Sequence, residues 1–140
     1  MKKILVVDLS LTVRLEVARA LAGHFEVIGA CNGVDSLVAL FFNPDTCLVL
    51  CELSRPGIAG LAVLEALRRD AVYAKLPVVM LTPAGQAELI VLAKRAGAKG
   101  AVVTPFRPES LLSVVSRPTL EIAVEVEGRS AAAATSPGPP

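Results

Sequence analysis

Leu48-Val49-Leu50-Cys51-Glu52-Leu53-Ser54-Arg55-Pro56-Gly57 is an apolar run that ends on one carboxylate and then turns. Four consecutive apolar residues before a turn-prone segment read as a strand buried on both faces, the kind found in the middle of a parallel sheet. In open sheets of that type the working groups gather at the carboxyl ends of the strands. Glu52 stands at such an end, so its surroundings carry the functional question.

Working outward, residues 3–8 form a second continuous apolar run, and Ser10 offers an N-cap to a helix from Leu11 whose inward face reads as Leu11, Leu15, Ala18, Leu21 and Ala22, stopped by Gly23. Phe25-Glu26-Val27-Ile28 is a short strand, and residues 33–42 make a helix that Asn43-Pro44 ends, because the residue before proline avoids helical dihedrals. Beyond the Arg55-Pro56-Gly57 turn, a third helix closes on Arg68-Arg69, where basic groups suit the helix dipole. Residues 76–82 make a fourth strand, 86–96 a fourth helix capped by Gly97, 100–103 a fifth strand and 108–115 a fifth helix with proline in its first turn. Five alternations of strand and helix with short connections predict a parallel sheet wrapped by right-handed crossovers, three layers deep.

Two segments fall outside that repeat. Residues 118–128 alternate polar and apolar side chains, as in a half-exposed strand that could extend the sheet edge, pair with a second copy or open a further element. Residues 129–140, an alanine run and then Ser-Pro-Gly-Pro-Pro, read as a disordered, linker-like tail. The expected division is therefore a main domain over 1–117, the extra strand over 118–128 and the tail.

Composition excludes several classes of function. The 140 residues are 54% hydrophobic but only 4% aromatic, so the core is aliphatic, and a net charge of +1 gives no footprint for nucleic acid or an anionic membrane. The N-terminal apolar stretch is interrupted after four residues, far short of a signal or membrane segment, and the protein reads as cytoplasmic. Cys31, Cys47 and Cys51 form no Cys-x-x-Cys pair; Cys47 and Cys51, on one face of a strand about 13 Å apart, could neither bridge nor share a metal, and all three read as small core residues. His24, beside a helix-ending glycine, reads as a surface residue. No glycine-rich phosphate loop follows the first strand, which counts against a nucleotide- or flavin-binding enzyme.

Ile-Leu-Val-Val-Asp-x-Ser, Pro44-Asp45, Leu-x-x-Pro-Gly-x-x-Gly from Leu53, Pro77-Val-Val-Met-Leu-Thr82 and Gly-Ala-x-Gly-x-Val-Val-x-Pro-Phe ending at Phe106 occur in order. Together they resemble the receiver domain of bacterial response regulators of the chemotaxis type, over residue 2 to about 116. The resemblance implies a flavodoxin-like (βα)5 sandwich of strand order 2-1-3-4-5 in a non-enzymatic signalling module. It also implies an acidic pair for Mg²⁺ after the first strand, where this chain has Asp8-Leu9. The phosphoacceptor aspartate, four residues before Pro-Gly, is Glu52, and the lysine before Pro105 is Thr104. Thr82 matches the family threonine, and the aromatic readout residue on the fifth strand is Ala101.

Leucine offers a hard cation no oxygen, and a glutamate places its carboxylate one methylene too far out for in-line transfer. The expectation is a degenerate pocket of Asp8, Leu9, Glu52, Thr82 and Thr104 in a phosphorylation-independent pseudo-receiver, without a resident cofactor. A weak divalent site between Asp8 and Glu52 is the residual metal reading. The alternatives are an atypical regulator still switched by phosphoryl transfer, a fixed Glu52 phosphomimic, and a Glu52 that merely pairs with Arg55 or faces water. Partners are expected to be another signalling protein or a further domain of the same polypeptide. They would dock on Ile90 or Val91 of the fourth helix beside Ala101 and Phe106, unless a loop or the extra strand covers that helix. A homodimer would form through the fourth-helix, fifth-strand and fifth-helix face or through the extra strand.

Overall fold

The computed structural model describes residues 1–53, 58–117, 125–126 and 129–130. In chain order the elements are β1 (Lys3–Val7), α1 (Leu11–Leu21), β2 (Glu26–Ala30), α2 (Gly33–Phe42), β3 (Thr46–Glu52), α3 (Ile58–Arg69), β4 (Val78–Pro83), α4 (Ala87–Arg95), β5 (Gly100–Thr104), α5 (Pro108–Val115), β6 (Glu125–Val126) and β7 (Arg129–Ser130). The first five strands pair in parallel in the order β2-β1-β3-β4-β5, as the alternating pattern requires.

Each central strand sends alternate side chains to two separate aliphatic cores. Leu5, Val49, Cys51, Val78 and Met80 meet Leu40 of α2, Leu64 and Leu67 of α3 and Ala93 of α4. Ile4, Val6, Leu48, Leu50, Val79 and Leu81 meet Val17 and Leu21 of α1 and Leu111 and Val114 of α5. Both faces being covered, the strands have no polar side, which is why they read as unbroken apolar runs.

Local signals place the helices. Ser10 Oγ accepts from the Val13 N–H at 3.3 Å, and Asn32 Oδ1 from the Asp35 N–H at 2.8 Å, so each satisfies an otherwise orphan donor. At the end of α4 the Gly97 N–H donates to Lys94 and the Ala98 N–H to Ala93, with Gly97 at φ +111°, a Schellman close that favours glycine.

Four expectations need correction. The buried stripe of α1 is Val17 and Leu21, flanked by half-buried Val13 and Ala20, whereas Leu11, Leu15 and Ala22 face solvent. The helix is apolar on two sides, and the branched valines fit the sheet. Of the cysteines only Cys51 is fully buried; Cys31 and Cys47 are intermediate, and all are free thiols. Cys47 and Cys51 do not share a face. Lys3 opposes Thr46 while Ile4 opposes Leu48, so Cys47 is an extra residue in the ladder, and this bulge turns it to the α1 side while Cys51 faces α3. Lastly, Arg129–Ser130, expected within an unstructured tail, pairs antiparallel with β6. β6 in turn pairs in parallel with β5, so the two residues described from the extra strand do extend the sheet edge. Residues 54–57, with Arg55 and its expected approach to Glu52, lie outside the described residues, as do 118–124 and 131–140. His24 is exposed, as expected.

Candidate functional site at the carboxyl end of the sheet

Strand register assembles the site. Val7 pairs with Cys51, which sets Asp8 beside Glu52; Glu52 pairs with Leu81, one residue before Thr82; and Pro83 pairs with Thr104. Asp8, Glu52, Thr82 and Thr104 thus step along one end of the sheet, with Leu9 at its rim. Close approach of α3 shapes this end: a Cβ on Gly60 would overlap the Glu52 carbonyl oxygen, so only glycine admits the helix there.

Asp8 is buried and held from several sides. Its Oδ1 accepts from the Ser10 N–H at 2.9 Å, its own N–H donates to the Ala30 carbonyl at 3.0 Å, and the Arg14 guanidinium donates to the Asp8 and Leu9 carbonyls. Burial raises the Asp8 carboxyl above the ordinary carboxylate range, against the opposing Ser10 hydrogen bond. The charge of Glu52 and a hydrogen bond between the two carboxyls raise it further, while Arg14 opposes them. The Asp8 carboxyl therefore holds its proton more readily than an isolated, exposed aspartate would. Behind them the Cys51 thiol is pushed up to about 12 by burial, with Glu52 and Asp8 adding to the effect, so it stays protonated at neutral pH.

Leu9, next to Asp8 in the chain, is 77% exposed and brings a hydrocarbon where the resemblance implies a second acid. Thr82 is fully buried and its hydroxyl donates to the Pro83 carbonyl at 3.4 Å, while Thr104, half-buried, precedes a cis peptide bond to Pro105. A dedicated Mg²⁺ site does not fit these residues. Among the described residues no group of three acidic, histidine or cysteine side chains could hold a metal, and Leu9 offers a hard cation no oxygen.

A sequence model of the response regulator receiver domain matches residues 4–116. The chain belongs to that family. The receiver domain is 32% identical over 111 residues to chemotaxis protein CheY1 of Helicobacter pylori, a match that covers 78% of this chain and 90% of that protein. The solved chemotaxis response regulator CheY4 of Vibrio cholerae superposes with a TM-score of 0.73 at 31% identity, over 84% of this chain and 98% of that one. The receiver domain of NtrX from Brucella abortus does so at 0.72 and 33%, over 81% and 95%. The protein is thus a CheY-like receiver domain of signal transduction with the flavodoxin-like fold. Among the described residues no helix is long and apolar enough to cross a membrane.

All five residues expected at the pocket of the receiver lie at this sheet end, but the expected partner patch does not assemble. Ala101 is buried in the core on the α3 side, and Ile90 is only half-buried and packs against that same core. Phe106 packs on the opposite core, beside Glu16 and Arg19 of α1. Of the apolar run at 89–92 the residues that face out are Val91 and Leu92. A 3.6-residue turn allowed only some of the run at 89–92 outward, and the sequence alone did not fix which.

Sequence reasoning also missed Arg14 and Arg68. Arg68 donates to the carbonyls of Gly97, Tyr73 and Ala74, tying the end of α3 to the loops before β4 and β5. Its only sequence signal was a basic residue in a last helical turn.

Proposed function

We propose that this receiver domain works as a phosphorylation-independent pseudo-receiver, a protein-protein interaction or targeting module of the cytoplasm rather than an enzyme. One observation carries the reading: the place where the family resemblance puts a phosphoacceptor aspartate is filled by Glu52, hydrogen-bonded to a buried Asp8 whose carboxyl is raised toward its neutral form. A carboxyl engaged in such a pair is a poor nucleophile for a phosphoryl group, and neither Leu9 nor Thr104 supplies a ligand or a fixed positive charge to organise one. The likeness to chemotaxis regulators supports a signalling protein as partner, met through the outward side of α4 at Val91 and Leu92. The net charge of +1 supports neither nucleic acid nor an anionic membrane in that role.

Incubation with acetyl phosphate and Mg²⁺ followed by intact mass measurement tests the reading. No adduct is expected. A gain of one phosphoryl group that vanishes in Glu52→Gln would establish the atypical switch instead.

A further inference from the structure

Five large apolar side chains exposed on this chain lie on one ten-residue helix: Val34, Leu37, Val38, Phe41 and Phe42 of α2. Their spacing of three and four residues makes a single outward stripe, while Ser36 and Leu40 are buried on the opposite side of the helix. α2 therefore presents large apolar side chains to solvent as well as to the core. Its one charged residue, Asp35, is occupied locally by the Cys31 thiol, which donates to it at 3.0 Å.

The stripe has both a raised end and a hollow one. Phe41 and Phe42, 72% and 73% exposed, stand edge to face with ring centroids 5.3 Å apart. At the other end Gly33, Val34 and Leu37 form a groove of about 370 Å³ with Ala62, Val63 and Ala66 of α3. Val34 and Phe41 are seven residues apart, about 10 Å along the axis.

We propose that this face is an isologous dimer interface in which two α2 helices pack antiparallel about a two-fold axis between Leu37 and Val38. That axis brings Phe41 of each copy to Val34 and the groove of the other, and Leu37 to Val38, so knob and hollow meet twice. Area and charge favour a second copy as the occupant. The stripe presents roughly 600 Å² of apolar side chain, most of the ~800 Å² per partner in an interface of standard size and as large as the largest patch of a typical monomer. The stripe carries no charge that would ask for an oppositely charged partner. The chain leaves the described fold at β7, at the sheet edge opposite β2 and α2, so its own C-terminal segment starts from the wrong side. The outward side of α4, with two half-exposed residues, is much smaller.

Sedimentation equilibrium of the full chain between about 1 and 100 μM is the test. A dimer is expected, weakened at least ~100-fold by Phe41→Lys with Phe42→Lys and unaffected by Val91→Lys with Leu92→Lys. Because these residues are exposed, circular dichroism should be unchanged, as should the melting midpoint at a dilution where wild type and variant are both monomeric. Val34→Glu alone should also dissociate the dimer, and Val34→Glu combined with Phe41→Lys in one chain should restore it, since each opposes the other across the axis. A wild-type monomer throughout the range, including one whose patch is reserved for a different protein, would overturn the proposal. So would a dimer indifferent to the phenylalanine changes, or a double variant that fails to regain what either single change loses.

Discussion

The interior of this receiver domain and the carboxyl end of its sheet follow opposite design logic. In the interior, Leu5, Val49, Val78 and Met80 on one side and Ile4, Leu50, Val79 and Leu81 on the other are at most 1% exposed, and many side chains share one task. At the carboxyl end Asp8, Leu9, Glu52 and Thr104 occupy places where each residue type supplies a distinct chemical function and no neighbour substitutes. A shape held by many interchangeable hydrocarbons survives changes that a constellation of single groups does not. On the proposed reading, a fold remains legible in a family after the chemistry beside it has altered.

If that contrast is right, the chemistry should be restorable without touching the scaffold, and this is where the largest effect is expected. Leu9→Asp, Glu52→Asp and Thr104→Lys together return an acidic pair, a shorter carboxylate and a cation to the same sheet end. With acetyl phosphate and Mg²⁺ the triple variant should form an acyl phosphate at least ~100-fold more than the wild type, read by intact mass. Failure of the triple variant to react while folded would place the barrier in the scaffold, not in the residues replaced.

The interior should respond in stability instead. Leu50→Ala leaves a cavity between β3, α1 and α5 and should cost about 2–5 kcal/mol in urea unfolding. Gly60→Ala sits at the boundary between the two regions. Its methyl group would overlap the Glu52 carbonyl, so α3 or the end of β3 must shift, at about 1–3 kcal/mol. A neutral Gly60→Ala would mean that the carboxyl end is looser than the interior, and the two regions would then differ in rigidity as well as in logic.

What the sequence disclosed follows the same division. The five strands and helices were legible because buried parallel strands are apolar without interruption and because Ser10, Asn43-Pro44 and Gly97 punctuate the chain. Faces were less so. Leu11 and Leu15 on α1 and the stripe on α2 are as apolar as the residues they share a helix with, and periodicity cannot choose between two hydrocarbon sides. The bulge at Cys47 depends on pairing with β1, forty-odd residues away, and Arg68 on the carbonyl of Gly97, so neither has a local signal. At the site, the residue types were readable from spacing, but the contact between Asp8 and Glu52 exists only because parallel strands set the ends of β1 and β3 side by side.

That contact should also leave the smallest trace, a dependence of stability on pH. The folded-state value of the Asp8 carboxyl is raised above the ordinary 3.8, chiefly by burial and also by Glu52. The protonated acid is therefore the form the fold prefers. Its contribution is complete below the unfolded value and is lost as pH climbs through the raised folded value, where a partly buried charge appears beside Glu52. Asp8→Asn keeps an oxygen for the Ser10 N–H and offers Glu52 a permanent donor, so it should imitate the protonated state at every pH. Urea unfolding of the two proteins should agree near pH 3 and diverge in favour of the variant as pH rises above the ordinary carboxylate value, by less than about 1 kcal/mol after solvent screening. A difference that does not change with pH would mean that burial and Glu52 do not raise the Asp8 carboxyl, and Asp8 would then be held by the Ser10 N–H and Arg14 alone.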